Sequence, residues 1–230
     1  MTPDASIRLH DVTVDLDGTR VLDDVSVALT ERRIGVIGAN GSGKSTFARL
    51  LNGLVEPTSG RVEVHGIDVT RDQKAARRAV GFVFTNPDAQ ILMPTVEEDV
   101  RLSLRGSGLS RAEVAERAAR QLDVFGLGDH ASSPAYSLSG GQKQLLALAS
   151  VLIRQPSLVV ADEPTTLLDL GNARRIGDLL IGEIDAQLVL VTHDLELAGR
   201  CDVVVRFADG RITEVGEPAS VIDRYRAEFA

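Results

Sequence analysis

An α/β fold is predicted, with a parallel sheet at its core, an antiparallel β region at the N-terminal side and an inserted α-helical subdomain. Three observations predict it. An apolar run at residues 34–37 leads into a glycine-rich stretch, residues 38–45, that opens a helix. Apolar runs at residues 158–161, 187–192 and 203–207 alternate with helical stretches, which implies parallel strands joined by right-handed crossovers. From about residue 95 to residue 127, apolar residues recur at helical spacing without a strand signal.

Taken in order, residues 7–29 alternate apolar and polar in two runs: Ile7, Leu9, Val12, Val14 and Leu16, then Val21, Val25, Val27 and Leu29. Asp17-Gly18 between them suits a tight turn, so the two runs read as an antiparallel hairpin. Pro57-Thr58-Ser59-Gly60 reads as a turn and residues 61–69 as one further strand. Residues 79–84 read as a buried strand, followed by a loop at residues 85–90. Ser110 and Glu113 form a capping box ahead of Val114, Ala118, Leu122 and Phe125. Ser139 and Gln142 form a second, opening a helix through Leu145, Leu148 and Leu152 that Pro156 cannot continue. Helices are expected at about 170–183 and 195–198, with a terminal one within 217–230. On these boundaries a single domain has a core of residues 1–85 and 156–230 and a helical subdomain of residues 86–155.

Composition narrows the function. The 230 residues are 43% hydrophobic and 25% charged, ordinary for a globular chain able to bury a sizeable core. The net charge of −8, without a long basic run, argues against a nucleic-acid partner. The single cysteine, Cys201, excludes an intramolecular disulfide, fits a reducing compartment and reads as a small buried apolar residue. The N-terminal residues lack a secretory leader pattern, and no run of 18 apolar residues occurs. A cytoplasmic protein is expected, with any membrane role supplied through partners.

The chemistry concentrates in Gly38-Ala39-Asn40-Gly41-Ser42-Gly43-Lys44-Ser45-Thr46. Strand, glycine-rich turn and helix in that order make a phosphate-binding loop, so the core is that of a P-loop NTPase. Backbone N–H groups and the positive end of the helix dipole converge there. Lys44 would meet the β- and γ-phosphates of a nucleotide, and Ser45 would bind Mg²⁺. The strand at 158–161 ends in Asp162 and Glu163, at the sheet edge where ligands of α/β folds bind. Asp162 is the expected Mg²⁺ ligand, and Glu163 would polarise the attacking water. His193, at the end of another strand, would hydrogen-bond the γ-phosphate. Leu138-Ser139-Gly140-Gly141-Gln142 offers a second anion-binding helix start. One triphosphate needs only one such cradle, so a second suggests two chains completing each other's sites.

These residues give a specific resemblance. LSGGQ, between a phosphate loop and an acid-tipped strand, is the signature of ATP-binding-cassette ATPases, and the similarity runs from the N-terminal β region through His193. It implies a sandwich dimer in which residues 138–142 of one subunit face ATP held by the other. Asp169 matches the D-loop at that interface. Within the family, Asn86-Pro87-Asp88-Ala89-Gln90 is similar to the corresponding loop of energy-coupling-factor importers. The resemblance then implies a homodimer, or a pair with a related ATPase. It also implies a transmembrane coupling subunit and a small substrate-binding membrane subunit, with the ATPase at the cytoplasmic face. The short tail after residue 215 resembles the biotin-type or cobalt/nickel-type ATPases. Rival readings are a soluble cassette ATPase of DNA repair or translation, and a nucleotide-binding regulatory subunit with little hydrolysis.

Two positions depart from the family pattern. Leu16 aligns where an aromatic usually stacks on adenine, which implies weak base discrimination. Thr85 replaces the usual glutamine that reaches Mg²⁺ and the attacking water. It retains an oxygen for the metal but has a shorter reach, which implies altered metal contact and slower or more tightly gated hydrolysis. Thr85→Gln is therefore expected to raise steady-state ATP turnover, and unchanged kinetics would refute that role.

Overall fold

The structure, a computed structural model, describes residues 5–229. In chain order its elements are β1 (Ile7–Leu16), β2 (Thr19–Leu29), β3 (Arg33–Gly38), α1 (Lys44–Leu50), β4 (Ser59–Val64), β5 (Ile67–Asp68), α2 (Gln73–Ala79) and β6 (Val80–Val83). Then come α3 (Val96–Ser103), α4 (Arg111–Val124), α5 (Gly140–Leu152), β7 (Leu158–Asp162), α6 (Leu170–Asp178), β8 (Gln187–Val191), α7 (Leu195–Ala198), β9 (Val203–Ala208), β10 (Arg211–Gly216) and α8 (Pro218–Ala227). The chain forms two compact units. One takes the residues up to Phe82, Ser157–Glu163 and the residues from Leu179 on; the other takes Val83–Pro156 and Pro164–Asp178.

The first unit holds two sheets, ordered β2-β1-β4-β5 and β10-β9-β3-β8-β7-β6. The smaller is the antiparallel region expected from residues 7–29. Its hairpin turns at Asp17-Gly18, with φ of 50° and 79°. The apolar spacing of β1 slips between Leu9 and Val12, and the slip is absorbed by a bulge. Asp11 there has φ 48°, and its N–H donates to Ser26 Oγ at 2.8 Å. Ile7, Leu9, Val12 and Val14 thereby all reach the core.

In the larger sheet, β3 runs parallel to both β8 and β9, and β7 runs parallel to β8. Every residue of β3, β7 and β8 is buried, which accounts for their continuous rather than alternating apolar pattern. Cys201 is buried as expected, and burial pushes its thiol up to about 12.

Three sequence expectations need correction here. Residues 61–69 are not one strand, because His65-Gly66 turns the chain, with φ of 50° and 76°, between β4 and β5. The Pro57–Gly60 turn gives way early, since Ser59 and Gly60 already belong to β4. A Cβ on Gly60 would stand 2.4 Å from the Asp11 carbonyl oxygen, so the glycine answers the bulge in β1. Finally, the helix expected at 170–183 is two pieces, α6 and a π-helical turn at Leu179–Glu183. Sequence reading also passed over α2 and β10.

The second unit is helical. Both expected capping boxes form: Ser110 Oγ accepts from the Glu113 N–H at 3.3 Å, and Ser139 Oγ accepts from the Gln142 N–H at 3.3 Å. The expected run from 95 to 127 is interrupted after α3. Gly106 and Gly108, at φ of 80°, turn the chain before Ser110 restarts it as α4. α5 is the buried axis of the unit, with Leu145, Leu146, Leu148 and Ala149 enclosed.

Candidate functional site: a phosphate loop and an acidic strand end

The phosphate loop links β3 to α1. Its shape depends on close approach from behind: a Cβ on Gly38 would lie 2.3 Å from the Phe207 carbonyl oxygen, and one on Gly43 would lie 2.6 Å from a Leu22 methyl. The turn between β9 and β10, at Asp209-Gly210, braces the loop. Gly210 N–H donates to the Ser42 carbonyl at 3.1 Å, and Gly210 O accepts from Asp23 N–H at 3.0 Å.

Lys44 is buried, and its ammonium donates to the carbonyls of Gly38 at 2.9 Å and Ala39 at 2.8 Å. Burial lowers its pKa, while Glu163 and Asp162 act in the opposite direction. Asn40 and Gly41 form the exposed crest of the loop, and Thr46 is buried beneath it. Ser42 Oγ is buried with no hydrogen-bond partner among the described residues.

Asp162 and Glu163 follow from β7 as expected. Asp162 Oδ1 accepts from the Ser45 hydroxyl at 3.0 Å, and Arg49 Nη2 stands 3.9 Å from Oδ2. Glu163 adopts φ 51°, held by a bond from its N–H to the Val191 carbonyl at 2.9 Å. Its Oε1 lies 2.8 Å from His193 Nε2. The ends of β3, β8 and β7, adjacent in the sheet, thus bring Lys44, Ser45, Asp162, Glu163 and His193 to one edge.

The helical unit holds a second cluster. Leu138 is buried, whereas Ser139 and Gly140 are exposed at the start of α5. Gly141 abuts Asn172, whose amide atoms would lie only 2.3–2.6 Å from a Cβ there. Asn172 in turn binds Asp169, donating from its backbone N at 3.0 Å and from Nδ2 at 2.6 Å. Those bonds hold the Asp169 carboxyl below its ordinary pKa. Asn172 therefore joins the SGG turn to Asp169, and only its place three residues after a helix-capping aspartate hinted at this.

The loop at Asn86–Gln90 is pinned to α5. Asp88 Oδ1 pairs with Lys143 Nζ at 2.7 Å. Gln90 Nε2 donates to the Ala147 carbonyl at 3.2 Å, and its Oε1 accepts from Phe84 N–H at 3.3 Å. Thr85 lines a cavity of about 130 Å³ with Asn86, Asp88, Gly140 and Lys143. Leu16, aligned where an aromatic usually stacks on adenine, ends β1 at 41% exposure.

Burial raises the Asp162 pKa, with the Ser45 hydroxyl and Arg49 opposing it. A carboxyl harder to ionise in the folded chain than in the unfolded one destabilises the fold once charged, so this contribution improves as pH falls. Asp162→Asn is accordingly expected to raise the melting temperature of the nucleotide-free chain at neutral pH. Calorimetry showing a lower value would mean that the carboxylate's bonds outweigh its desolvation.

A family model described as "ABC transporter" matches residues 22–166. The biotin transport ATP-binding protein BioM of Rhizobium etli is 45% identical over 221 residues, covering 96% of this chain and 98% of that protein. The energy-coupling factor transporter ATP-binding protein EcfA of Methanosphaera stadtmanae is 41% identical over 207 residues, covering 87% of this chain and 74% of that protein. Among solved structures, CbiO1 of Clostridium perfringens, described as part of the ABC transporter complex CbiONQ, superposes with a TM-score of 0.84 at 28% identity. That match covers 96% of this chain and 92% of CbiO1. With its phosphate loop, acid-tipped strand and SGG helix start in place, the chain belongs to the ABC transporter family as an ATP-binding ATPase.

Proposed function

We propose that this chain is the ATP-hydrolysing subunit energising import of a vitamin or transition-metal ion through an energy-coupling-factor-type transporter. Biotin is the favoured cargo, and cobalt or nickel comes next. The observation that carries this reading is near-full-length similarity to a biotin transport ATP-binding protein with the phosphate-side residues all present. The names of the relatives speak for transport rather than for DNA repair, translation or a purely regulatory subunit.

Residues 1–85 and 156–230 serve as the ATP-binding core in this reading, and residues 86–155 carry the signature. The loop amides from Gly38 to Thr46 and the Lys44 ammonium hold the phosphates. Ser45 and Asp162 are suited to Mg²⁺, since both present hard oxygens 3.0 Å apart. Among the described residues no group of three or more His, Cys, Asp or Glu is gathered as a dedicated metal cage. Bound there, Mg²⁺ would neutralise charge on the phosphate oxygens.

Glu163 orients and polarises the attacking water, and His193, held by Glu163, reads the γ-phosphate. Ser139 to Gln142 face ATP held by a second copy of this chain or a related ATPase, and Asp169 lies at that interface. A transmembrane coupling subunit docks around Pro87 to Val100 at the cytoplasmic face, alongside a small substrate-binding membrane subunit. Because Asp88 and Gln90 are bonded to α5, a push on that loop reaches the helix that starts at Ser139. Within the described residues no helix is long and apolar enough to cross a membrane, which leaves the crossing to those partners.

Glu163→Gln is expected to retain ATP binding and to lose at least about a hundredfold in turnover, the low end of what a positioned acid–base group contributes. Hydrolysis at the wild-type rate would remove Glu163 from the reaction. A pull-down of the tagged chain from native membranes in mild detergent is expected to bring a polytopic coupling protein and a small membrane subunit. Recovery of only soluble proteins or ribosomes would leave the ATPase and remove the importer.

A further inference from the structure

Gln142 makes two side-chain bonds, and one partner lies outside the signature. Its Oε1 accepts from the Ser139 N–H at 2.9 Å. That bond fixes the orientation of the amide, because a backbone N–H can only donate. Nε2 of Gln142 is then a donor, and it lies 3.0 Å from Nε2 of His130. For this to be a hydrogen bond, His130 Nε2 must be the unprotonated nitrogen of a neutral ring. His130 ends the 3₁₀ turn Gly128–His130 and is half-buried. The turn is tied on both sides: His130 N–H donates to Leu127 O at 3.0 Å, and His130 O accepts from Ser133 N–H at 2.8 Å.

We propose that His130 is a positioning residue for the signature, its imidazole acting as the acceptor that orients Gln142 and, through it, the Ser139 backbone. The inference rests on the proposed role of residues 138–142 at the nucleotide of a partner subunit. An aliphatic side chain at position 130 removes the acceptor, so the Gln142 amide is free to rotate away from Ser139 N–H. A donor-only side chain does more, because it sets N–H against the Gln142 NH₂. Flipping the amide to relieve that conflict turns the NH₂ against Ser139 N–H instead. One donor–donor conflict persists in either orientation, and the capping box opens.

The test compares steady-state turnover and fluorescent-nucleotide binding of the full chain for His130→Gln, His130→Ala and His130→Lys, with Ser139→Ala alongside. His130→Gln keeps a neutral acceptor at similar reach and is expected to stay within about twofold of wild-type kcat. His130→Ala is expected to lose about three- to tenfold, and His130→Lys about tenfold or more, as for a hydrogen bond lost and a buried donor left opposed. Nucleotide affinity of the free chain is expected to be unchanged in all three, because the phosphate loop is untouched. Equal kcat for the glutamine and lysine variants, with Ser139→Ala impaired, would overturn the role of His130 and leave the signature reading intact. Wild-type turnover by Ser139→Ala would overturn the signature reading and the inference with it.

Discussion

A buried ammonium cannot be left without acceptors, and the site is arranged around that constraint at Lys44. The carbonyls of Gly38 and Ala39 satisfy it, so the loop is folded over its own lysine. Asp162 and Glu163 supply compensating charge from the end of β7, and their attraction opposes the loss of basicity that burial imposes. The carboxylates are constrained in turn: Asp162 is itself buried and leans on the Ser45 hydroxyl. The Lys44 ammonium is thus held desolvated by the chain's own acceptors. That fixed, already desolvated charge is the sense in which the loop is preorganised.

Such an arrangement needs three strands side by side. Because β3, β8 and β7 are neighbours and parallel, the loop, His193 and the Asp162-Glu163 pair leave the sheet at the same edge. Completely buried strands make that edge rigid, and the β9–β10 turn supports the loop from behind through Gly210. The helical unit follows a different logic, in which one buried helix, α5, gathers polar anchors along its length. Gln142 meets His130, Lys143 meets Asp88, and the Ala147 carbonyl meets Gln90.

Features set by local rules were legible in the sequence. The phosphate loop, the two serine capping boxes and the Asp17-Gly18 turn each depend on a few adjacent residues whose conformational needs are strict. Three or more continuous apolar runs likewise declared the buried strands. What stayed hidden depended on distant partners or on a weaker local signal. His65-Gly66 carries no aspartate or asparagine, and its local mark is only a slip in phase, Val62 and Val64 falling on even positions and Ile67 and Val69 on odd ones. Asp209-Gly210 is the same turn type as Asp17-Gly18, but the strand after it, β10, shows only half-buried residues on its inward side, so its pattern is faint. Asn172 and His130 act through side-chain contacts with residues 31 and 12 positions away in sequence, Gly141 and Gln142, and the one local mark on either is the place of Asn172 three residues after Asp169.

The backbone at Glu163 is left-handed, a conformation that asparagine, aspartate or glycine adopts with less strain. A shorter acid would suit the main chain better but would bring its carboxylate up short of His193, which Glu163 reaches at 2.8 Å. Local comfort and side-chain reach are therefore in conflict at this one position, and the residue found there favours reach. The strain at the end of β7 is held by the neighbouring strand, through the bond from Glu163 N–H to the Val191 carbonyl, so that one side chain's reach is maintained by the sheet rather than by the turn itself.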